Sequence, residues 1–412
     1  MTVSRISELL PPLLTTQRSS WEQGITAQAL LEAHRDRAIS TNCYDTIPNL
    51  LPYIHGLVYD AVVRQGSDGR LAVVLNGDGT SDPGALDPAC IGEALYYLLH
   101  HHSTEISHGK FSIAANRMLD YVLIACPRAP IVENTFSSQD DNLILSHRID
   151  SVQIWSDTIY MLPPFLVSAA VYYSHHPESN SRYHPANLIR MSLKQIILAA
   201  QVLQAPTGEW SHIYDLSKRK FERKTFWGVG NGWVCAGIIR VFTIFATAIQ
   251  SRPEFGHYLD DEDTQKCLSR SYDILRRTFH ACLRHIRPDN LFHNVLDDPS
   301  SFVETNLTQQ LCYTLYTMLS LHIHTPFEIT TLLNLPHLSL ESIEEWKLRA
   351  DAMRDAAVTK IDQWGFVRDV CGSPSFDKPG TAAEGQAWAI MMEVSRIKFL
   401  RQQEKLHDSE GD

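Results

Sequence analysis

Paired cysteines, blocks of basic residues and long unbroken apolar runs are all scarce in this 412-residue chain. Each shortage removes a class of function. The eight cysteines, Cys43, Cys90, Cys126, Cys235, Cys267, Cys282, Cys312 and Cys371, include no CxxC pair, and most sit in apolar surroundings such as Trp233-Val234-Cys235-Ala236. They read as free buried thiols, not as a zinc site or a disulfide framework. Among the 19 histidines no two stand four apart on a helical face, and His100-His101-His102 points around a helix instead of at one ion, so neither a metal nor another cofactor is expected. Lys and Arg number 36 against 47 Asp and Glu, a formal charge of −11, with no basic cluster to neutralise a phosphate backbone. Nucleic acid is therefore not an expected partner. The first twenty residues hold one apolar stretch broken by Pro11 and Pro12, too short for a secretory h-region, and no later run reads as a membrane span. The expectation is a cytoplasmic protein with a small-molecule substrate and no membrane partner.

What is present is core-forming material: 44% hydrophobic residues, with Gly and Pro at only 20 each. Apolar residues recur at three- and four-residue intervals, with almost no strand-like alternation. The pattern predicts helices over 21–35, 47–64, 89–102, 111–125, 157–174, 185–203, 231–249, 261–285, 305–322, 340–360 and 381–401. Some, such as the stretch following Trp233, are apolar on nearly every side, as inner helices would be. Others, such as 340–360 with Glu341, Glu344, Glu345, Lys347 and Arg349, have a charged face, as outer helices would. An all-α, two-layered barrel in a single domain, residues 1–401, follows, with 402–412 as a polar, frayed tail. Loops rich in Trp, Asp, His and Gly, at 77–87, 140–156, 207–231, 287–304 and 364–380, recur once per helical hairpin and are expected to gather at one rim.

Two aspartates in these loops could do chemistry. Asp157, after Trp155-Ser156, opens a strongly apolar helix, and Asp87-Pro88 opens another. The plain reading of both is an N-cap, with Pro at N1 in the second case. The chemical reading is a pair of carboxyls at one rim that divide acid and base roles, desolvation beside Trp155 raising the pKa of Asp157 until a substrate needs its proton. Phe226-Trp227-Gly228-Val229-Gly230-Asn231-Gly232-Trp233 is a glycine turn between tryptophans, a weak phosphate signal that suits aromatic walls around a sugar or polyketide-like ring better.

In order along the chain stand Trp21-Glu22-Gln23-Gly24, Leu86-Asp87, Trp155-Ser156-Asp157 with Met161 and Pro164-Phe165, Gly208 to His212, Phe226 to Trp233, Val295 to Pro299 with Val303-Glu304-Thr305, and Glu384-Gly385-Gln386-Ala387. Together they resemble six-hairpin glycosidases, specifically the unsaturated rhamnogalacturonyl hydrolase family and its relatives the unsaturated glucuronyl hydrolases. The resemblance implies an (α/α)6 barrel and no metal. It implies Asp157 as general acid/base, Asp87 as the second acidic residue, and His212 and Trp227 lining the sugar subsite; Trp155, His147, Val229, Asn231 and Trp233 are further candidates for substrate contact. It further implies hydration of a C4=C5 vinyl ether, the Asp protonating C4 while water adds at C5. Two departures stand out. Val229 occupies the place of an Arg, removing a guanidinium that could pair with a uronate, and Asp140-Asp141-Asn142-Leu143-Ile144-Leu145-Ser146 replaces a Gly-Gly-Phe-Trp-His stretch. The expected substrate is therefore a neutral or weakly anionic glycoside, or an unsaturated uronide held without that Arg. A repurposed barrel acting as an isomerase or cyclase on a non-sugar substrate is the alternative.

Overall fold

The helical periodicity becomes thirteen helices in a computed structural model that describes residues 3–18, 20–36, 47–72, 82–102, 107–131, 142–176, 182–372 and 375–410. They are α1 (Val3–Thr16), α2 (Ser20–Arg35), α3 (Leu51–Val63), α4 (Gly92–His101), α5 (His108–Asp120), α6 (Thr158–Ser174), α7 (Pro185–Leu203), α8 (Gly228–Ser251), α9 (Glu262–Leu283), α10 (Asn306–His324), α11 (Phe327–Leu332), α12 (Leu340–Val358) and α13 (Ala383–Glu410). A 3-10 turn, Asp87–Ile91, leads into α4, and a π turn, Tyr121–Ala125, ends α5.

Helices α2, α4, α6, α8, α10 and α13 form the inner layer. They close a ring in which α2 packs on the 3-10 turn before α4, that turn on α6, then α6 on α8, α8 on α10, α10 on α13 and α13 back on α2. Each inner helix is reached through an outer one, so all six run the same way and open at the same rim. The outer helices α1, α3, α5, α7, α9 and α12 lay their apolar stripes on this ring. This is the (α/α)6 barrel.

Close packing depends on small residues where inner helices touch. A Cβ on Gly237 of α8 would come 2.2 Å from the Ile159 carbonyl oxygen of α6. That carbonyl is free of its usual helical donor because the residue four on is Pro163, which has no N–H. Some 18 Å below the start of α8, at 1.5 Å per residue, the buried Arg240 crosses the barrel. It donates to Glu93 Oε2 from Nε at 2.9 Å and Nη2 at 2.6 Å, and from Nη1 to Glu32 Oε1 and the Tyr313 hydroxyl, both at 3.0 Å. Arg35 binds the other Glu93 oxygen at 2.8 Å.

The few strands are short: among the described residues nine lie in the loops that lead into inner helices. They are β1 (Arg128–Pro130) with β2 (Leu143–Leu145), β3 (Gln153–Trp155) with β4 (Ile213–Asp215) and β5 (Lys220–Arg223), β6 (Phe292–His293) with β7 (Val303–Glu304), and β8 (Val370–Gly372) with β9 (Ser375–Gly380), all antiparallel. Several expectations need correction. Pro11 and Pro12 do not break α1, because Ile6, Leu9, Leu10 and Leu13 keep a buried stripe against α13 and repay the lost backbone donors. The glycine run is not a turn before a helix; Gly228 is the first residue of α8. That helix is long and apolar enough to cross a membrane, contrary to the sequence expectation, yet nearly all of it is covered by its barrel neighbours. The polar segment after residue 401 continues α13 to Glu410, since Gln, Glu, Lys and Leu favour helix and no Gly or Pro intervenes before Gly411. Seven cysteines are free and buried, as expected, and Cys43 lies outside the described residues, as do Asp140, Asp141 and part of the 77–87 loop.

Candidate active site

The rim loops and the first turns of the inner helices enclose a cavity of about 290 Å3. Asp87, His147, Trp155, Asp157, His212, Trp227, Val229 and Trp233 all line it. The three-stranded sheet explains much of this convergence. Pairing of β3 with β4 sets Trp155 opposite Ile213, and the backbone N–H of Ser156 donates to the carbonyl of His212 at 3.1 Å, so Asp157 and His212 emerge side by side.

Neither aspartate is used as a helix cap. Asp157 sits at the N-cap position of α6 with helical φ and ψ and no capping hydrogen bond from its side chain; Asp87 lies inside the 3-10 turn, also without one. The carboxylate that does cap an inner helix is Glu304. It accepts from the backbone N–H groups of Asn306 at 2.7 Å, Leu307 at 2.8 Å and Cys371 at 3.1 Å, while burial pushes its carboxyl up to about 7. Asn306, the first residue of a formal glycosylation sequon, is thereby fully buried.

Each aspartate instead faces a histidine. Asp87 Oδ1 is 3.0 Å from His147 Nε2, whose Nδ1 is 2.9 Å from Thr158 Oγ1. Burial alone would lower the His147 pKa; the Asp87 carboxylate, with Asp157 further off, outweighs it and holds the imidazole above its ordinary value of 6.5. Asp157 Oδ2 lies 3.3 Å from His212 Nε2, within ion-pair range but poorly aligned for a hydrogen bond, and accepts from Ser156 Oγ at 3.1 Å. Burial lowers the pKa of His212, leaving it neutral near pH 7. For Asp157 itself, burial works upward but His212 and His147 more than cancel it, so the carboxyl lies below its ordinary value. This reverses the sequence expectation, which counted the desolvation and not the two imidazoles.

Aromatic rings form the wall. His147 stacks on Trp155 with centroids 4.7 Å apart, Trp155 meets His212 edge-on at 5.4 Å, and His212 packs on Trp227 at 4.4 Å. The fourth loop contributes only indirectly, Asn294 Oδ1 accepting from Trp227 Nε1 at 3.1 Å. Asn231 is the one expected site residue absent from the wall. Its amide is consumed by the backbone, accepting from Trp210 N–H at 2.7 Å and donating to the carbonyls of Trp210 and Trp227 at 3.0 and 2.9 Å, so it fixes the loop and has no group left for a ligand.

Sequence reasoning gave no role to Arg148, Arg223, Trp21, Glu384, Cys371 or Phe376, all of which line the cavity. Trp21 and Glu384 could have been found, because they lie in the first turns of α2 and α13, and every inner helix starts at the same rim. Arg223 had no local signal. It ends β5, with Nη1 3.4 Å from His212 Nδ1. Arg148 is paired bidentately with Asp150, whereas no carboxylate among the described residues pairs with Arg223. Among the described residues no cluster of metal-ligating groups occurs.

Asp87→Asn tests the imidazole argument directly. With the partner carboxylate gone, burial dominates, and the His147 pKa followed by NMR is expected to fall below 6.5 from above it. Turnover should drop on the order of tenfold to a hundredfold with a displaced pH profile. An unmoved His147 titration would show that Asp87 does not set its charge.

Residues 8–326 match the sequence profile of Glycosyl Hydrolase Family 88. Similar solved structures include a possible family 105 glycoside hydrolase from Klebsiella pneumoniae subsp. pneumoniae MGH 78578, 14% identical, with a TM-score of 0.65 over 95% of this chain and 92% of that one. The family 105 glycoside hydrolase of C. acetobutylicum ATCC 824 is 14% identical, with a TM-score of 0.63 over 95% and 98%. The unsaturated glucuronyl hydrolase of Bacillus sp. GL1, described as responsible for glycosaminoglycan degradation, is 11% identical, with a TM-score of 0.57 over 96% and 95%. No protein of curated function matches the chain by sequence.

Proposed function

The chain belongs to Glycosyl Hydrolase Family 88, and from that premise we propose that it removes an unsaturated uronic acid from an oligosaccharide by hydrating the C4=C5 vinyl ether. The observation that carries this reading is the pair of aspartates, free of helix-capping duty, each beside a histidine in one aromatic-walled cavity. Asp157 is the acid/base. As an acid it gives a proton to C4; water then adds to the cationic C5 and loses its own proton to the same carboxylate, and the resulting hemiketal opens to release the alcohol of the next sugar. In the free protein Asp157 is ionised at neutral pH. A bound uronate adds a second negative charge and displaces water, and both effects raise the carboxyl pKa, so substrate itself loads the proton. Asp87 favours the charged form of His147 at the edge of this charge distribution.

Arg223 is the group proposed to meet the uronate. Val229 removes one guanidinium from the cavity and Arg223 offers another, without a competing carboxylate among the described residues. The reason for doubting an anionic substrate falls away with it, and family membership gives no support to an isomerase or cyclase. Unsaturated disaccharides ending in a uronate should therefore be turned over, with loss of the ultraviolet absorbance of the enol ether. Arg223→Gln should raise KM by about tenfold to a hundredfold, the worth of a charge-assisted hydrogen bond of roughly 1.5–3 kcal/mol. Absence of turnover on every unsaturated uronide would overturn the function; an unchanged KM in the variant would overturn the role of Arg223.

A further inference from the structure

A further buried carboxyl, Glu384, lines the cavity near a second one, Glu22, and the chemistry above leaves it unused. Glu384 is in the first turn of α13 and Glu22 in the first turn of α2, both buried. Trp21 Nε1 donates to Glu384 Oε1 at 2.7 Å, and Trp21 and Glu384 both line the cavity. Glu384 Oε2, in contrast, is buried without a hydrogen-bond partner among the described residues. Gly372 of β8 lies beside it, close enough that a Cβ there would come to 3.1 Å. Glu22 faces Arg18, whose backbone N–H donates to Glu22 Oε2 at 2.5 Å and whose guanidinium is 3.8 Å away.

Two carboxyls sharing a low-dielectric site do not both ionise. Burial and the neighbouring Glu22 both favour the protonated form of Glu384. The groups facing Glu384 are Glu22 and Arg18 from the α2 side and the Cys371 thiol from β8. Burial first, and Glu22 second, push the Glu384 carboxyl up to about 7, against the Trp21 hydrogen bond. A protonated Oε2 is a hydrogen-bond donor, and leaving a buried donor unmet has an energetic cost. A ligand acceptor would remove that cost.

We propose that Glu384 is a substrate-binding residue, held by Trp21, that donates a hydrogen bond from Oε2–H to a hydroxyl or ring oxygen of the bound sugar. The inference rests on the sugar-cleaving reading above for the class of ligand. Glu384→Gln keeps an N–H donor at the same place and Glu384→Ala removes it. With an unsaturated disaccharide, Ala should raise KM about tenfold while kcat falls far less, and Gln should stay within about threefold of native. The native KM should climb as pH passes 7 and Oε2 loses its proton, while that of Glu384→Gln stays flat. Difference infrared spectra should show a protonated carboxyl band below pH 7 that Glu384→Gln lacks, a readout that needs neither substrate nor the Ala variant. Gln as damaging as Ala, an unmoved KM in both variants, or a missing infrared band overturns the proposal. A native protein that turns over no unsaturated uronide while keeping the band overturns the functional reading, and the donor on Glu384 still stands.

Discussion

Asp157→Asn is expected to lower turnover of an unsaturated uronide by about 10²–10⁴-fold, the usual worth of a positioned acid/base, with almost no change in melting temperature. The reasoning is geometric. A side chain that caps its helix contributes stability, and its loss costs about 0.5–2 kcal/mol; the Asp157 carboxylate makes no such bond. Asn preserves the shape beside Ser156 and His212 but carries no transferable proton. Binding should survive, so KM moves less than kcat. Parallel melting and kinetic measurements decide it. A large fall in melting temperature with retained activity would mean that Asp157 holds the start of α6 and another group moves the proton.

The largest expected effect on stability lies below the site. Arg240→Met leaves Glu93 almost fully buried with only the half-exposed Arg35 as a cation, and Glu32 without its buried partner. Breaking one side of a buried ion pair costs about 3–5 kcal/mol, to be read as a lower urea midpoint at an unchanged slope. The pH dependence has a definite sign. Burial would raise the Glu93 carboxyl, but Arg240 and Arg35 outweigh it and hold it below its ordinary 4.5. The stability from this group is present above that value and lost as pH falls through the depressed one. Arg240→Met should therefore lose much of its stability near neutrality and show a weaker further decline on acidification. Equal midpoints for native and variant protein would show that the network contributes nothing net.

The barrel was legible in the sequence because α6 and α8 are apolar all round while an outer helix such as α9 has a single stripe, a difference that hydrophobic spacing records directly. The limits were equally physical. Pro11 and Pro12 read as breakers because the cost of lost donors is local, whereas the repayment, Ile6 to Leu13 against α13, comes from the far end of the chain. The positions of Asp87, Asp157 and the tryptophans could be anticipated from loop order. Their charge states could not, since the imidazole nearest Asp157 comes from residue 212 and no local pattern announces that β3 and β4 pair. Asn231 misled for a related reason: an amide in a glycine-rich loop looks available until the carbonyls of Trp210 and Trp227 are seen to occupy it. Arg223 was invisible because only the pairing of β4 with β5 brings it beside His212.

The closed ring also sets a timetable. The seam between α2 and α13 is bridged by Trp21 and Glu384, residues 363 apart in the chain. During synthesis at roughly 5–20 residues per second, α2 emerges about 20–70 seconds before the helix that must seal against it. Through that interval its apolar flank is open to whatever else is in solution, and five hairpins form a crescent with two sticky edges. Completion of the last hairpin does two things at once: it removes those edges, and it delivers the final wall of the cavity. A nascent chain thus has no complete cavity until α13 has left the ribosome.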